Sequence, residues 1–159
     1  MSEELEWLLE NIVIPGQLLL LTGKDLEEAQ RFGMKLGVHF ALSNRGAFTF
    51  TPWKSEFWSN PVCAPFTTKR LILINASPNG AEAELEYLSE LRKARSTDSA
   101  ILLLCSRNTY GKVRGSSAFE GTSDGWMTLE KDDEQGKQRL SWTMRDRADG
   151  SMLLGDEEI

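Results

Sequence analysis

Residues 99–150, SAILLLCSRNTYGKVRGSSAFEGTSDGWMTLEKDDEQGKQRLSWTMRDRADG, decide how the rest of the chain is read. They open on an apolar run, Ala100 to Cys105, too short for a typical helix and bounded by polar residues, which predicts a buried strand. A polar, basic loop follows, then a small-residue segment from Gly115 to Gly121. Two further runs, Trp126 to Glu130 and Arg139 to Met144, are joined by the charged, glycine-containing linker Lys131 to Lys137 and predict a β-hairpin.

Upstream, short apolar runs alternate with longer amphipathic ones. Ser2 to Ile12 places Leu5, Leu8, Leu9 and Ile12 at helical spacing between glutamates, and Pro15-Gly16 ends that helix. Gln17 to Thr22 predicts a strand, and Asp25 to Leu42 a helix with Leu26, Ala29, Gly33, Leu36 and Phe40 on its inner face. Asp25 with Glu28 three residues on has the pattern of an N-cap and its capping-box partner, with Glu27 adding negative charge to the first turn. Asn44-Arg45-Gly46 punctuates the chain before a short strand, Ala47 to Thr51. From Trp53 to Pro65 aromatic and breaker residues cluster, with Phe66 just beyond, either as a packed loop over the sheet edge or as an anchor for a partner. Arg70 to Asn75 predicts another buried strand. Pro78-Asn79-Gly80 turns the chain into a helix over Ala81 to Arg95, whose glutamates and late basic residues form a solvated face. This β-turn-α alternation predicts a mostly parallel sheet with an antiparallel hairpin at one edge.

Composition bounds the function. One domain accounts for 159 residues, here assigned to 1–150, with 151–159 as an acidic tail expected to be poorly ordered. No apolar run approaches the ~20 residues of a membrane span. The acidic N-terminus lacks the basic region of a secretory signal, so the expected location is cytoplasmic, or nuclear in a eukaryote. With two cysteines in dissimilar settings, Cys63 and Cys105, and a single histidine, His39, a zinc site or a histidine-based triad is not expected. A net charge of −6 opposes generic nucleic-acid binding, although a local basic loop can still provide it.

The order of these parts resembles a RecA-like P-loop NTPase core, in the branch of replicative helicases and plasmid RepA-type proteins. There a core strand ends in a small polar residue, and a loop leads to an R-G-S-[ST]-A-[FIL]-E-G-x-[AS]-D segment. A hairpin then finishes on K-x-R-x-G. The matching pieces are Cys105-Ser106, Arg114 to Asp124, and Arg145-Asp146-Arg147-Ala148-Asp149-Gly150. The resemblance implies a three-layer α/β sandwich. Its enzymatic motifs depart from the family: where G-x-x-x-x-G-K-[ST] would cradle phosphates, the chain reads Gly23-Lys24-Asp25, and Asn75 stands where the family ends a strand in a magnesium-linked aspartate. Glu56 occupies the region of the family's catalytic glutamate, but with no phosphate-binding loop to hold a nucleotide it reads as a surface residue.

Gly23, Lys24, Asp25 and Asn75 are therefore expected to form a degenerate nucleotide site, with no catalytic residue, metal or cofactor. The resemblance gives two further candidate sites. The loop with Arg107, Tyr110, Lys112 and Arg114 corresponds to one that faces a central channel and can hold single-stranded DNA through cations and stacking. Arg145 and Arg147 match cations that reach a neighbouring subunit's nucleotide; surface pairing with Asp146 or Asp149 is the plain alternative. The expected function is a non-catalytic accessory or scaffolding module in DNA replication, recombination or repair, partnered with itself or an active RecA-like ATPase. A single-stranded nucleic-acid binder using residues 107–114, and an ATPase with an atypical phosphate site, are the alternatives.

Overall fold

The computed structural model describes residues 3–51, 70–75, 99–106, 123–132 and 137–154. Two helices, α1 (Glu3–Asn11) and α2 (Leu26–Leu42), accompany strands β1 (Leu18–Gly23), β2 (Ala47–Thr51), β3 (Arg70–Asn75), β4 (Ser99–Ser106), β5 (Gly125–Asp132), β6 (Lys137–Met144) and β7 (Gly150–Leu153). The strands form one sheet in the order β2-β3-β4-β1-β5-β6-β7. Pairing is parallel from β2 across to β5 and antiparallel through β6 and β7. The expected mostly parallel sheet with a C-terminal antiparallel hairpin is therefore present.

Register explains why the central runs lack alternation. Leu19 and Leu21 lie level with Leu102 and Leu104 on one face, and with Leu73 on β3 they join the cluster that α1 and α2 complete. Leu18, Leu20, Ile72, Ile101 and Leu103 point the other way and are equally closed to solvent. A strand buried on both faces gains nothing from polar residues at either parity. Beyond β1 the pattern changes: Met127, Leu129, Leu140 and Trp142 are buried on the helix side, while Trp126, Thr128, Ser141 and Thr143 between them are half-buried.

Two boundaries are corrected. β5 runs to Asp132 and β6 starts at Lys137, so the linker shrinks to 133–136. Residues 151–153, expected to be tail, lie in β7, so the domain boundary set at residue 150 falls on the first residue of a strand. Pairing and burial hold that strand: Met152 lies opposite Leu140 and packs on the core, and Leu154 N donates to Gln138 O at 2.8 Å. Gly150 is required there, because a Cβ would come within 2.6 Å of the Trp142 ring. The aromatic cluster at 53–66, the helix expected over 81–95 and residues 155–159 lie outside the described residues.

α1 is fastened across the sheet's helical face. Its apolar side, Leu5, Leu8 and Leu9, enters the core, and Trp7 stacks on Trp142 with ring centroids 5.3 Å apart. Glu6 bridges two partners: one carboxylate oxygen lies 2.8 Å from His39 Nε2, and the other accepts from Arg45 Nη2 at 2.6 Å. The His39 hydrogen bond, followed by the Arg45 charge, lowers the Glu6 pKa from its ordinary 4.5 against an opposing desolvation effect. A carboxylate with a depressed folded-state pKa contributes stability above its unfolded value and loses it as pH falls through the folded one. Titrated from neutral pH to below the ordinary carboxylate range, wild type is expected to lose more melting temperature than Glu6→Gln. Parallel curves would show that the clasp contributes nothing to acid stability.

Candidate functional site

The C-terminal ends of the parallel strands share one rim of the sheet, where the turn between β1 and α2 lies. Only Lys24 and Asp25 separate the two elements. Asp25 is the N-cap: its carboxylate accepts from Glu28 N at 2.8 Å, with extended backbone at φ −143° and ψ 172°. Glu28 returns its own carboxylate to Lys24 N at 3.1 Å, and Ala29 N donates to Asp25 O at 3.4 Å. The expected capping box is thus realised, displaced one residue toward the strand. Three amides of the turn, those of Lys24, Glu28 and Ala29, are bonded within the turn itself.

Space is as short as donors. A Cβ on Gly23 would lie 2.9 Å from Ala29 N, 3.0 Å from Glu28 Cβ and 3.1 Å from Asp25 O. The chain doubles back closely against the first helical turn. Two carboxylates already occupy the positive end of α2, where an anion would otherwise be favoured. The amides of Lys24, Glu28 and Ala29 are thus committed to the turn itself.

Asn75 closes β3 level with Leu104, and Gly23 closes β1 level with Ser106. With β4 between them, the two candidates are about 10 Å apart across the sheet. Beneath this edge lies Thr22, level with Cys105 on one side and Thr128 on the other. Its hydroxyl is buried with no hydrogen-bond partner among the described residues. Cys105 is equally buried, and desolvation pushes its thiol up to about 12, so it is an unreactive packing group. Among the described residues no group of three or more His, Cys, Asp or Glu side chains is placed to hold a metal ion.

Arg145 and Arg147 lie at the opposite edge. They follow β6, which runs antiparallel to β5, and so sit beside the beginning of β1, about 20 Å, one strand length, from Gly23. Arg145 Nε donates to Ser123 O at 2.6 Å, and its backbone N to Asp124 O at 3.1 Å. Arg147 donates from Nη1 to Asn11 O at the end of α1, from Nη2 to Gln17 Oε1 at 2.9 Å, and from Nε to Asp146 Oδ1 at 3.0 Å. The pairing with Asp146 that stood as the plain alternative is present, but the larger commitment is to α1 and the loop after it. Asp124 does related work: its Oδ2 accepts from Leu18 N at 2.8 Å and its N donates to Leu18 O at 2.7 Å, tying the start of β5 to the start of β1. Arg107, Tyr110, Lys112, Arg114 and Glu56 lie outside the described residues.

No family model matches the sequence, and no curated protein is similar to it in sequence. Solved structures do match the fold. The ATPase domain of a helicase superposes with a TM-score of 0.64 at 10% identity, covering 86% of this chain and 80% of that one. The RadB recombinase superposes with a TM-score of 0.66 at 13% identity, covering 93% of this chain and 90% of that one. The chain has a RecA-like α/β fold: a seven-stranded mixed sheet, mostly parallel, closed by a C-terminal antiparallel hairpin and flanked by helices.

Proposed function

We propose that this chain is a non-catalytic RecA-like module, an accessory or scaffolding subunit of DNA replication, recombination or repair that assembles with itself or with an active RecA-like ATPase. The observation that carries this reading is the two-residue turn between β1 and α2, in which Gly23 is packed against Ala29 and the amides cap one another. Similar folds occur in an ATPase domain and a recombinase, which supports placing the module beside such proteins. Asn75 in place of a carboxylate supports the absence of a magnesium shell. In this reading Arg145 and Arg147 serve assembly by bracing the base of the sheet on which α1 is laid.

Thermal unfolding with magnesium-ATP tests the proposal. A ligand at a hundred times its Kd stabilises the folded state by about 2.7 kcal/mol, several degrees in melting temperature for a domain of this size. No shift beyond that given by magnesium alone is expected, and no turnover. A clear rise together with hydrolysis that Lys24→Ala abolishes would overturn it.

A further inference from the structure

Among the described residues four large apolar side chains are exposed, and three lie on one flank of the molecule. Met34 (37% exposed) and Leu42 (64%) belong to the outer side of α2, where Ala41 is also exposed; Phe50 (42%) belongs to β2. β2 is an outermost strand of the sheet, and among the described residues no strand pairs with its outer side. Its sequence, AFTFT, holds neither the charges nor the proline that often keep an exposed edge single. The opposite edge is different: β7 has four residues, follows Asp146 and Asp149, and faces no comparable patch among the described residues.

We infer that β2 and the outer side of α2 form a two-fold interface with a second copy of this chain. Charge selects that occupant. Two copies with a net charge of −6 repel each other over most of their surfaces, but residues 32–51 contain no aspartate or glutamate. Arg45, a cation in that span, does not oppose the contact, since it is spent on Glu6 and Glu10. Antiparallel pairing of β2 with its own copy about Thr49 sets Phe48 opposite Phe50 twice and Ala47 opposite Thr51 twice. Neutral, β-branched and aromatic partners across strands are favourable, and no like charges meet. An isologous contact of this kind closes at two subunits and joins two seven-stranded sheets edge to edge.

The inference deepens the reading of the chain as an assembling module and rests on it. It does not involve Arg145, Arg147 or the β1–α2 turn. Sedimentation and light scattering of the intact chain over about 1–100 μM are expected to show a monomer–dimer equilibrium, which Phe50→Lys weakens at least about tenfold. Leu42→Glu, on the exposed end of α2, is expected to weaken it similarly and guards against a strand variant that merely misfolds. Thr49→Cys in a Cys63→Ser background places one thiol of each copy at the two-fold axis, so mild oxidation is expected to yield a covalent dimer. A monomer throughout, a dimer indifferent to both charge variants, or no cross-linking of the dimer would each overturn the interface. None of these outcomes touches the nucleotide measurements, on which the non-catalytic reading separately stands or falls.

Discussion

Leu102→Ala is expected to lower the unfolding free energy by about 2–5 kcal/mol, because it opens a cavity in the middle of the sheet where nothing can move in to fill it. Leu102 has no exposed surface, and β1 and β3 hold its strand on both sides, with Leu19 and Leu73 at its own level. Packed interiors lose both transfer energy and dispersion contacts when methyl groups are removed. The control is Glu27→Ala on α2, whose carboxylate meets only the exposed Arg31 at 3.2 Å and should change stability by less than about 0.5 kcal/mol. Urea unfolding of both variants measures the difference. Equal losses would show that the central strands are not the core.

Asp124→Ala is the second large effect, expected at about 2–3 kcal/mol. The carboxylate accepts from Leu18 N at 2.8 Å, and truncation leaves that amide without its acceptor at the first residue of a strand with no exposed side chains. Charge-assisted bonds of this kind contribute more than neutral ones, and an abandoned buried donor adds its desolvation penalty. Asp124→Asn keeps an acceptor oxygen in the same place and should recover about half of the loss. If the alanine variant unfolds at the wild-type urea concentration, the carboxylate is not what joins β5 to β1.

Asp124 also shows where sequence reading separates fold from function. It closes the Arg114–Asp124 segment that resembles a family motif, and such a motif invites a functional reading. Its described role is to join two strands separated by 106 residues, which no local pattern encodes. Features set by nearby residues were legible: Asp25 and Glu28 cap α2, and the leucine and isoleucine runs of β1, β3 and β4 fall within a residue of their expected limits. β7 was hidden, because Gly-Ser-Met-Leu has neither alternation nor a run of branched residues and becomes a strand only through β6. In the sequence His39 is distinguished only as the chain's single histidine. Its contact with Glu6, 33 positions earlier, depends on how α1 lies over α2. Of the candidate site, the shortness of the β1–α2 turn was readable by counting, whereas the crowding around Gly23 required the path of the helix behind it.

The fastening of α1 has a consequence for how the protein is made. A ribosome delivers α1 well before the last of its anchors: His39 and Arg45 follow Glu6 by 33 and 39 positions, but Trp142 and Arg147 emerge more than 130 residues later, and Arg147 reaches back across 136 positions to Asn11. β1, the middle strand, likewise waits for β4 and β5. Closing such long loops precedes any reward from the contacts they make, so no early portion of the nascent chain can mature alone. Leu5, Leu8 and Leu9 therefore lack part of their cover until β6 has emerged, at a stage when apolar surface invites wrong partners. The four glutamates interspersed among them, at positions 3, 4, 6 and 10, keep the waiting segment hydrated until its seat exists.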